Sequence, residues 1–470
     1  MAYTEYYKEF PYEDIMRLLE PVRPYSEPYP IDDNPISRRE LAFTYSISKN
    51  GKVENVFQRY QSFKADSEQS VLVQFSRKLV NSRPIKIEIG PVYSLEPQTT
   101  RKCDSRVDYR ELIFDLDITP EYNELRNCPC VAEPSPSFLC KLCWPFITVG
   151  VHCLDYLLRT HFGYEDLLWS FSGRRGVHCQ VLDPRASILS EDARRSLANF
   201  FERLWRADQQ CSVGPFLDPR RLYLDHLYHT LLLPRFERLV ETTALNLSCG
   251  KMLTIIANCF SGTREALAIK QFLDGLVQKP CASTEVWTQL RLIAAQFSCQ
   301  HHLPKVVFAA IFPKLDLGVT KGVNHLLRCP MSVHHETDNI AVPLLVDQID
   351  DLDPARFPCL RKRQTMLKLN EWKADFADCL RCRHSIANYL TCMHCAETVQ
   401  ELNKLPQSIM FSMDVSEWRV HQQAMHPGSS YTADASTLRA LVNRRSRRPD
   451  GLQDWAVKVE CYRQLDKKFG

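Results

Sequence analysis

The sequence predicts a mixed α/β (α+β) fold, and three observations carry that expectation. Segments with strand-like alternation recur up to about residue 190 and again after 300. The stretch between them has helical periodicity, and paired cysteines punctuate the chain. The central strand is Glu111-Leu112-Ile113-Phe114-Asp115-Leu116-Asp117-Ile118. Successive strand side chains alternate faces, so Asp115 and Asp117 project from the same side while Leu112, Phe114, Leu116 and Ile118 are apolar. Two carboxylates so placed repel unless a cation lies between them, and hard divalent ions such as Mg²⁺ or Mn²⁺ prefer oxygen ligands. A solvated strand end is the plainer reading of such a pair taken alone.

The chain has 470 residues, of which 44% are hydrophobic, enough for a sizeable core and more than one domain. Its formal net charge is only +3, so a nucleic-acid surface would have to be a local patch. The polar start, Met1-Ala2-Tyr3-Thr4-Glu5, is unlike a signal peptide, and no apolar run is long enough to cross a membrane. Nineteen cysteines in such a chain point to a reducing compartment and to metal binding rather than disulfides.

In order along the chain, a short helix is expected around Asp14–Leu19, followed by a proline-rich connector from Pro21 to Pro35. Ser37–Tyr45 alternates as a strand, Asn50-Gly51 signals a hairpin turn, and the return strand runs through Val56-Phe57-Gln58 into Arg59-Tyr60-Gln61-Ser62-Phe63. A third strand is expected at Ile85–Gly90, with Ile85, Ile87 and Ile89 on one face and Lys86 and Glu88 on the other. After the aspartate strand come Cys128, Cys130, Cys140 and Cys143, four thiolates able to close a tetrahedral Zn²⁺ shell. All four positions being filled by protein, that zinc would be structural.

Leu168–Phe171 reads as a strand, Ser172-Gly173-Arg174-Arg175-Gly176 as a turn and Val177–Leu182 as the return strand. The glycines let backbone approach a ligand, and guanidinium forks match phosphate oxygens. His178 would stand beside that turn, making a triphosphate pocket. Ser190 is expected to cap a helix carrying Leu197, Phe200, Phe201 and Leu204 as its apolar stripe. Strand character is expected to return at Val306–Ile311, ahead of Asp316, the natural third carboxylate for a metal pair. Lys321–Arg328 and Met331–His334 then supply cations and imidazoles.

In this order the residues resemble the small catalytic subunit of the archaeal and eukaryotic type of DNA primase. The carriers are Arg39-Glu40 with Phe43, Arg59–Phe63, Ile87–Gly90 with Val92-Tyr93-Ser94, Glu111–Asp117 and Ser172–His178. They continue with Leu315-Asp316, Lys321–Leu327, Pro330, Ser332–His334 and Val342-Pro343, so the match spans roughly residues 5 to 360. The resemblance implies a primase catalytic fold with a zinc knuckle and a helical subdomain. Residues 1–190 and 301–360 would then be two parts of the catalytic domain, 191–300 the helical subdomain and 361–470 a C-terminal extension.

It further implies synthesis of short RNA primers on single-stranded DNA from ribonucleoside triphosphates, by a two-metal nucleotidyl transfer. Partners would be a primase large subunit and a DNA polymerase alpha-type replicative complex. The compartment would be the nucleus, or the mitochondrion for a dNTP-using relative. Asp115, Asp117 and Asp316 would hold two Mg²⁺ or Mn²⁺ ions with Glu40 beside them, and Cys128, Cys130, Cys140 and Cys143 would hold Zn²⁺. Ser172, Gly173, Arg174, Arg175, Gly176, Val177 and His178 would grip the triphosphate, with His325, Leu326, Leu327, Arg328 and His334 completing the nucleotide site. Glu88 would read the ribose 2′-hydroxyl, although eukaryotic relatives usually carry Asp there. Arg328 replaces a usual Lys, and the loop from Cys130 to Cys140 is longer than in relatives. A decayed, zinc-bearing nucleic-acid-binding subunit is the non-enzymatic alternative.

Beyond about residue 365 the resemblance stops. Cys379, Cys382, Cys392 and Cys395 read either as a second zinc site or as helical i, i+3 thiols facing a core. Arg444-Arg445-Ser446-Arg447-Arg448 reads as a solvated run or as a nuclear address.

Overall fold

The computed structural model describes residues 2–20, 35–49, 51–64, 70–97, 105–118, 123–128, 130, 139–205, 226–261, 265–362 and 366–390. The connector after residue 20, Cys392, Cys395 and Arg444–Arg448 lie outside the described residues, as do the side chains of 203–205 and 381–390. None of the described helices is long and apolar enough to cross a membrane.

Two antiparallel sheets form the α/β part. The first runs β2 (Lys52–Gln61), β1 (Arg39–Lys49), β3 (Lys86–Tyr93), β4 (Val107–Tyr109), with β8 (Leu327–Arg328) also paired to β3. The second runs β5 (Leu112–Asp117), β7 (Gly176–Val181), β6 (Leu167–Phe171). The β1–β2 hairpin turns at Gly51, whose φ of +74° suits glycine. In β3, Ile87 and Ile89 are buried while Lys86 and Glu88 are partly exposed, the alternation expected of a one-sided strand. Near its end β2 carries a bulge: Ala42 of β1 faces both Arg59 and Tyr60, because Phe43 pairs with Gln58 and Leu41 with Gln61. Tyr60 sits at φ +61°, a left-handed conformation that costs a tyrosine about 1 kcal/mol or more and re-aims both side chains.

Arg39, 1% exposed, clasps the two sheets together. Its guanidinium forks onto Glu111 at 2.7 and 3.0 Å and also donates to the carbonyls of Leu19 and Gly90. Burial alone would raise the Glu111 carboxyl. The charge and hydrogen bonds of Arg39, with Arg110, overcome that and hold it at about 2. Arg194 seals the same joint by donating to the backbone carbonyls of Glu111, Arg110 and Ala186.

The second sheet is bordered by chain from residues 315–344. Leu315 bridges Leu116 on one side, and on the other Phe171 and Leu344 exchange backbone bonds with Val342 and Trp169. Helices Glu191–Trp205, Leu233–Glu241, Gly250–Cys259, Ala266–Gln278 and Ser283–Gln296 account for the expected helical stretch, with a π-helix at Leu227–Leu232. Ser190 caps the first of them, its hydroxyl accepting from Ala193 N at 3.2 Å.

The expected strand at Val306–Ile311 is instead a helix, Leu303–Ile311. A continuous apolar run has no period to distinguish a fully buried helix from a core strand. Pro304 in the first helical turn was the available signal, and every residue from Lys305 to Ile311 is buried. Cys379 and Cys382 fall on one helix, Leu369–Leu390, where Phe376 and Leu380 are buried.

Candidate active site

Strand register brings the first pieces together. β5 pairs with β7 so that Asp115 faces His178 and Asp117 faces Gly176. A Cβ on Gly176 would strike the Asp117 carboxylate and the Leu116 carbonyl, so only glycine lets that carboxylate lie over the partner strand. The third carboxylate arrives by backbone contact, Asp316 N donating to Asp115 O at 3.0 Å. Asp316 then caps the short helix Leu317–Lys321, its Oδ1 accepting from Gly318 N at 2.9 Å.

Like charges and burial dominate the electrostatics. Burial, then Asp117 and Asp316, push the Asp115 carboxyl well above the ordinary carboxylate range, against the pull of Arg328 and Arg175. Asp117 is raised too, chiefly by burial, with Arg175 and Arg174 opposing. His178 Nε2 stands 3.7 Å from Asp115 Oδ1, too long for a hydrogen bond, and burial followed by Arg328 lowers the imidazole to about 3, so it is neutral. Asp115 Oδ1 and His178 Nδ1 are both buried without a hydrogen-bond partner among the described residues. An orphaned carboxylate oxygen in a cluster of three aspartates suits a divalent cation, which satisfies and neutralises it.

The basic turn lies alongside. Ser172 closes it, its hydroxyl accepting from Gly176 N at 3.1 Å, and Gly173 takes φ +90° at its tip. A Cβ at Gly173 would meet the Cβ of His334, so turn and histidine are in close contact. Arg175 Nε stands 3.5 Å from Asp117 Oδ2, while Arg174 pairs with Glu336 at 2.9 Å. The segment after β8 holds the turn from outside: Thr337 Oγ1 and Asn339 Nδ2 both donate to the Gly173 carbonyl, at 2.7 and 3.1 Å. No sequence motif pointed to Thr337, Asn339 or Glu336, because their part depends on a contact 160 residues away along the chain.

Arg328 links the two sheets at this point. It pairs across the ladder with Glu88, donates to Val333 O at 3.0 Å, and is lowered by burial to about 10 against the pull of Glu88, Glu336, Asp115 and Asp117. Glu88 is also held by Lys86 at 2.7 Å. His334 stacks on His335, and burial followed by Arg328 lowers its imidazole to about 2. His325 is exposed and Leu326 half-buried. Val177 and Leu327 are core side chains, Leu327 packing with Ile113 and Val319, so they bear on the site only through backbone.

Glu40 is held by side chains of the first sheet. Fully buried, it accepts from Arg59 Nε at 2.6 Å and from the Tyr93 hydroxyl at 3.1 Å, and Arg59 reaches on to Asn324 O at 2.8 Å.

The four thiols Cys128, Cys130, Cys140 and Cys143 form the one group of three or more potential ligands within 4.8 Å of one another among the described residues. The three aspartates are less tightly drawn together, as like charges would be. The Sγ distances of 3.0, 3.0, 3.3 and 3.8 Å exceed a disulfide bond. They approach the roughly 3.8 Å of a tetrahedral shell built on Zn–S bonds of about 2.3 Å. Arg126 donates to Cys143 Sγ at 2.9 Å, the charge-assisted contact a thiolate shell needs. The donor set fits zinc.

Comparison with known proteins follows from this arrangement. The family model described as DNA primase small subunit matches residues 114–346, which take in the three aspartates, the basic turn, Arg328 and His334. The DNA primase small subunit of Drosophila melanogaster is 27% identical over 353 residues, covering 70% of this chain and 74% of its own. That of Schizosaccharomyces pombe is 29% identical over 346 residues, 70% of each. That of Saccharomyces cerevisiae is 28% identical over 386 residues, 78% of this chain and 85% of its own. Among solved structures, the polymerase domain of Mycobacterium tuberculosis ligase D in complex with DNA aligns with 79% of the chain, at a TM-score of 0.33 and 11% identity. Over most of its length, then, the chain is similar to the DNA primase small subunits, and the matching family model spans the stretch that carries the aspartates and the basic turn.

Proposed function

We propose that this chain is the catalytic subunit of a DNA primase, a DNA-directed RNA polymerase that joins ribonucleotides into short primers on single-stranded DNA. The observation that carries the reading is the meeting of Asp115, Asp117 and Asp316 beside the arginine turn. Those three carboxylates would hold two divalent cations, Mg²⁺ or Mn²⁺. When bound, such ions supply Lewis acidity at the α-phosphate and lower the pKa of the attacking 3′-hydroxyl.

The chain's own residues do the rest by position and charge. Arg174 and Arg175 offer planar forks to the triphosphate oxygens, and the neutral His178 and His334 donate single N–H bonds without adding charge. Arg328, held by burial and by Val333, supplies a fixed cation between the aspartates and Glu88. Glu88, held by Lys86, would read the ribose hydroxyl. The four cysteines would hold a structural zinc near the start of the helix Trp144–Thr160. A small subunit implies a large one, so a primase large subunit and a replicative polymerase complex are the expected partners, with the nucleus as the place of action.

The test is de novo priming on an oligopyrimidine template with Mg²⁺ or Mn²⁺, rNTPs compared with dNTPs, with and without a large subunit. Primer synthesis that depends on Asp115 and prefers rNTPs supports the proposal. An Asp115→Ala chain as active as wild type would remove the metal assignment. Preference for dNTPs would favour a primase-polymerase, with Glu88 in place of a shorter acid as the natural cause.

A further inference from the structure

Arg59-Tyr60-Gln61 is a motif of the sequence that the nucleotide site leaves unused. The bulge in β2 turns Arg59 and Tyr60 together into a cavity of about 600 Å³, within the size range of ligand sites. A second cavity, of about 550 Å³, runs along Phe57–Gln61, and Arg59 and Tyr60 line both. The larger one carries four arginines, Arg59, Arg106, Arg110 and Arg194, against two acids, Asp108 and Glu191. Asp108 is already held by Arg38 at 2.6 Å and Arg106 at 3.1 Å. Arg110, 2% exposed, leaves its Nε without a hydrogen-bond partner among the described residues.

Aromatic surface lies beside this charge. Tyr60 is half-buried with the Arg59 guanidinium 5.0 Å from its ring centre, and Phe57 is 53% exposed on the same edge strand. The cavity also connects to the aspartates through one short segment. Asp316 and Arg328 flank a loop whose Val323 and Asn324 line the cavity, and His325 O accepts from Arg110 at 2.7 Å. An exposed arginine, a second guanidinium fixed over the groove by Glu40, flat rings and a loop that continues from the Asp316 helix describe a track for a single strand, whose unpaired bases stack while its phosphates meet guanidinium groups.

We propose that this groove binds a single polynucleotide strand running to or from the active site, with Tyr60 as the stacking face and Arg59 and Arg106 as phosphate contacts. Glu40 is a positioning residue in this scheme: buried beneath Arg59, it fixes the guanidinium over the groove rather than touching the reacting atoms. The inference rests on the primase reading and names where the strand lies.

The experiment uses the full chain and fluorescently labelled oligo(dT) and oligo(rU), read by anisotropy, with binding of a fluorescent ribonucleoside triphosphate measured in parallel. Tyr60→Gly removes the ring yet tolerates the positive φ, and should weaken strand binding about tenfold, while Tyr60→Phe retains it. Arg106→Ser, at a side chain 84% exposed, should lower the log–log salt slope of strand binding by about 0.7. Triphosphate binding should be unchanged in all three. A preference for DNA would make the groove the template's path, and a preference for RNA the product's. A folded Tyr60→Gly chain that binds strands within about twofold of wild type would overturn the proposal. So would a wild-type chain that binds triphosphate but no strand, which leaves the nucleotide site standing. A chain that binds neither would take down the underlying reading as well.

Discussion

Asp316 donates its backbone amide to the carbonyl of Asp115, at 3.0 Å, so the third carboxylate is fixed to the first by main chain rather than by side chain. The arrangement of the acids therefore does not depend on their charge. Asp115→Asn and Asp316→Asn should fold, and in metal-free buffer Asp115→Asn should be more stable than wild type, because it removes a buried like charge. Both should lose primer synthesis by about a thousandfold or more, the scale expected when central electrostatic groups are removed. Thermal melting beside a priming assay checks the pair of outcomes.

The Arg39–Glu111 clasp gives a pH dependence of definite sign. Glu111 titrates near 4.5 when unfolded and about 2 when folded, so its contribution is fully present above pH 4.5 and is lost as pH falls toward 2. That contribution is about 3 kcal/mol at neutral pH. Glu111→Gln should lower stability by about that amount, since it strands a buried guanidinium, and should flatten the acid limb. Urea unfolding between pH 6 and pH 3 measures both, as an order-of-magnitude comparison.

Thr337 and Asn339 hold the arginine turn through the carbonyl of Gly173. Thr337→Val removes two hydrogen bonds, the one donated to Gly173 O and the one accepted from Asn339 N, each worth about 1 kcal/mol. The expected result is a KM for triphosphate raised about fivefold with kcat nearly unchanged, which steady-state extension kinetics would show.

The thiol cluster predicts a zinc held by Cys128, Cys130, Cys140 and Cys143. Cys140→Ser should abolish that zinc and lower Tm by several degrees, because the site joins the segment around Arg126 to Leu245 and to the start of the helix Trp144–Thr160. Metal analysis and melting with and without a chelator test this.

The parts of the site that were legible in the sequence are those set by local chemistry. Asp115 and Asp117 share a face because strand period is two, and Ser172–Gly176 reads as a turn because serine and two glycines bracket its arginines. The helix at Leu303–Ile311 was misread because a buried helix and a buried strand are both apolar throughout. Glu40 was placed near the metals by resemblance, and its hydrogen-bond partners Arg59 and Tyr93, distant from it in the chain, had no sequence signal. Long-range pairings such as Arg39 with Glu111, or Thr337 with Gly173, leave no periodic trace and become visible only when strands register.

The contact between Arg174 and Glu336 changes how admission to this centre works. With a carboxylate 2.9 Å away, part of that guanidinium's charge is already answered before any anion arrives. A singly charged visitor gains little from what remains, while a polyphosphate brings several oxygens to the neighbouring cations at once.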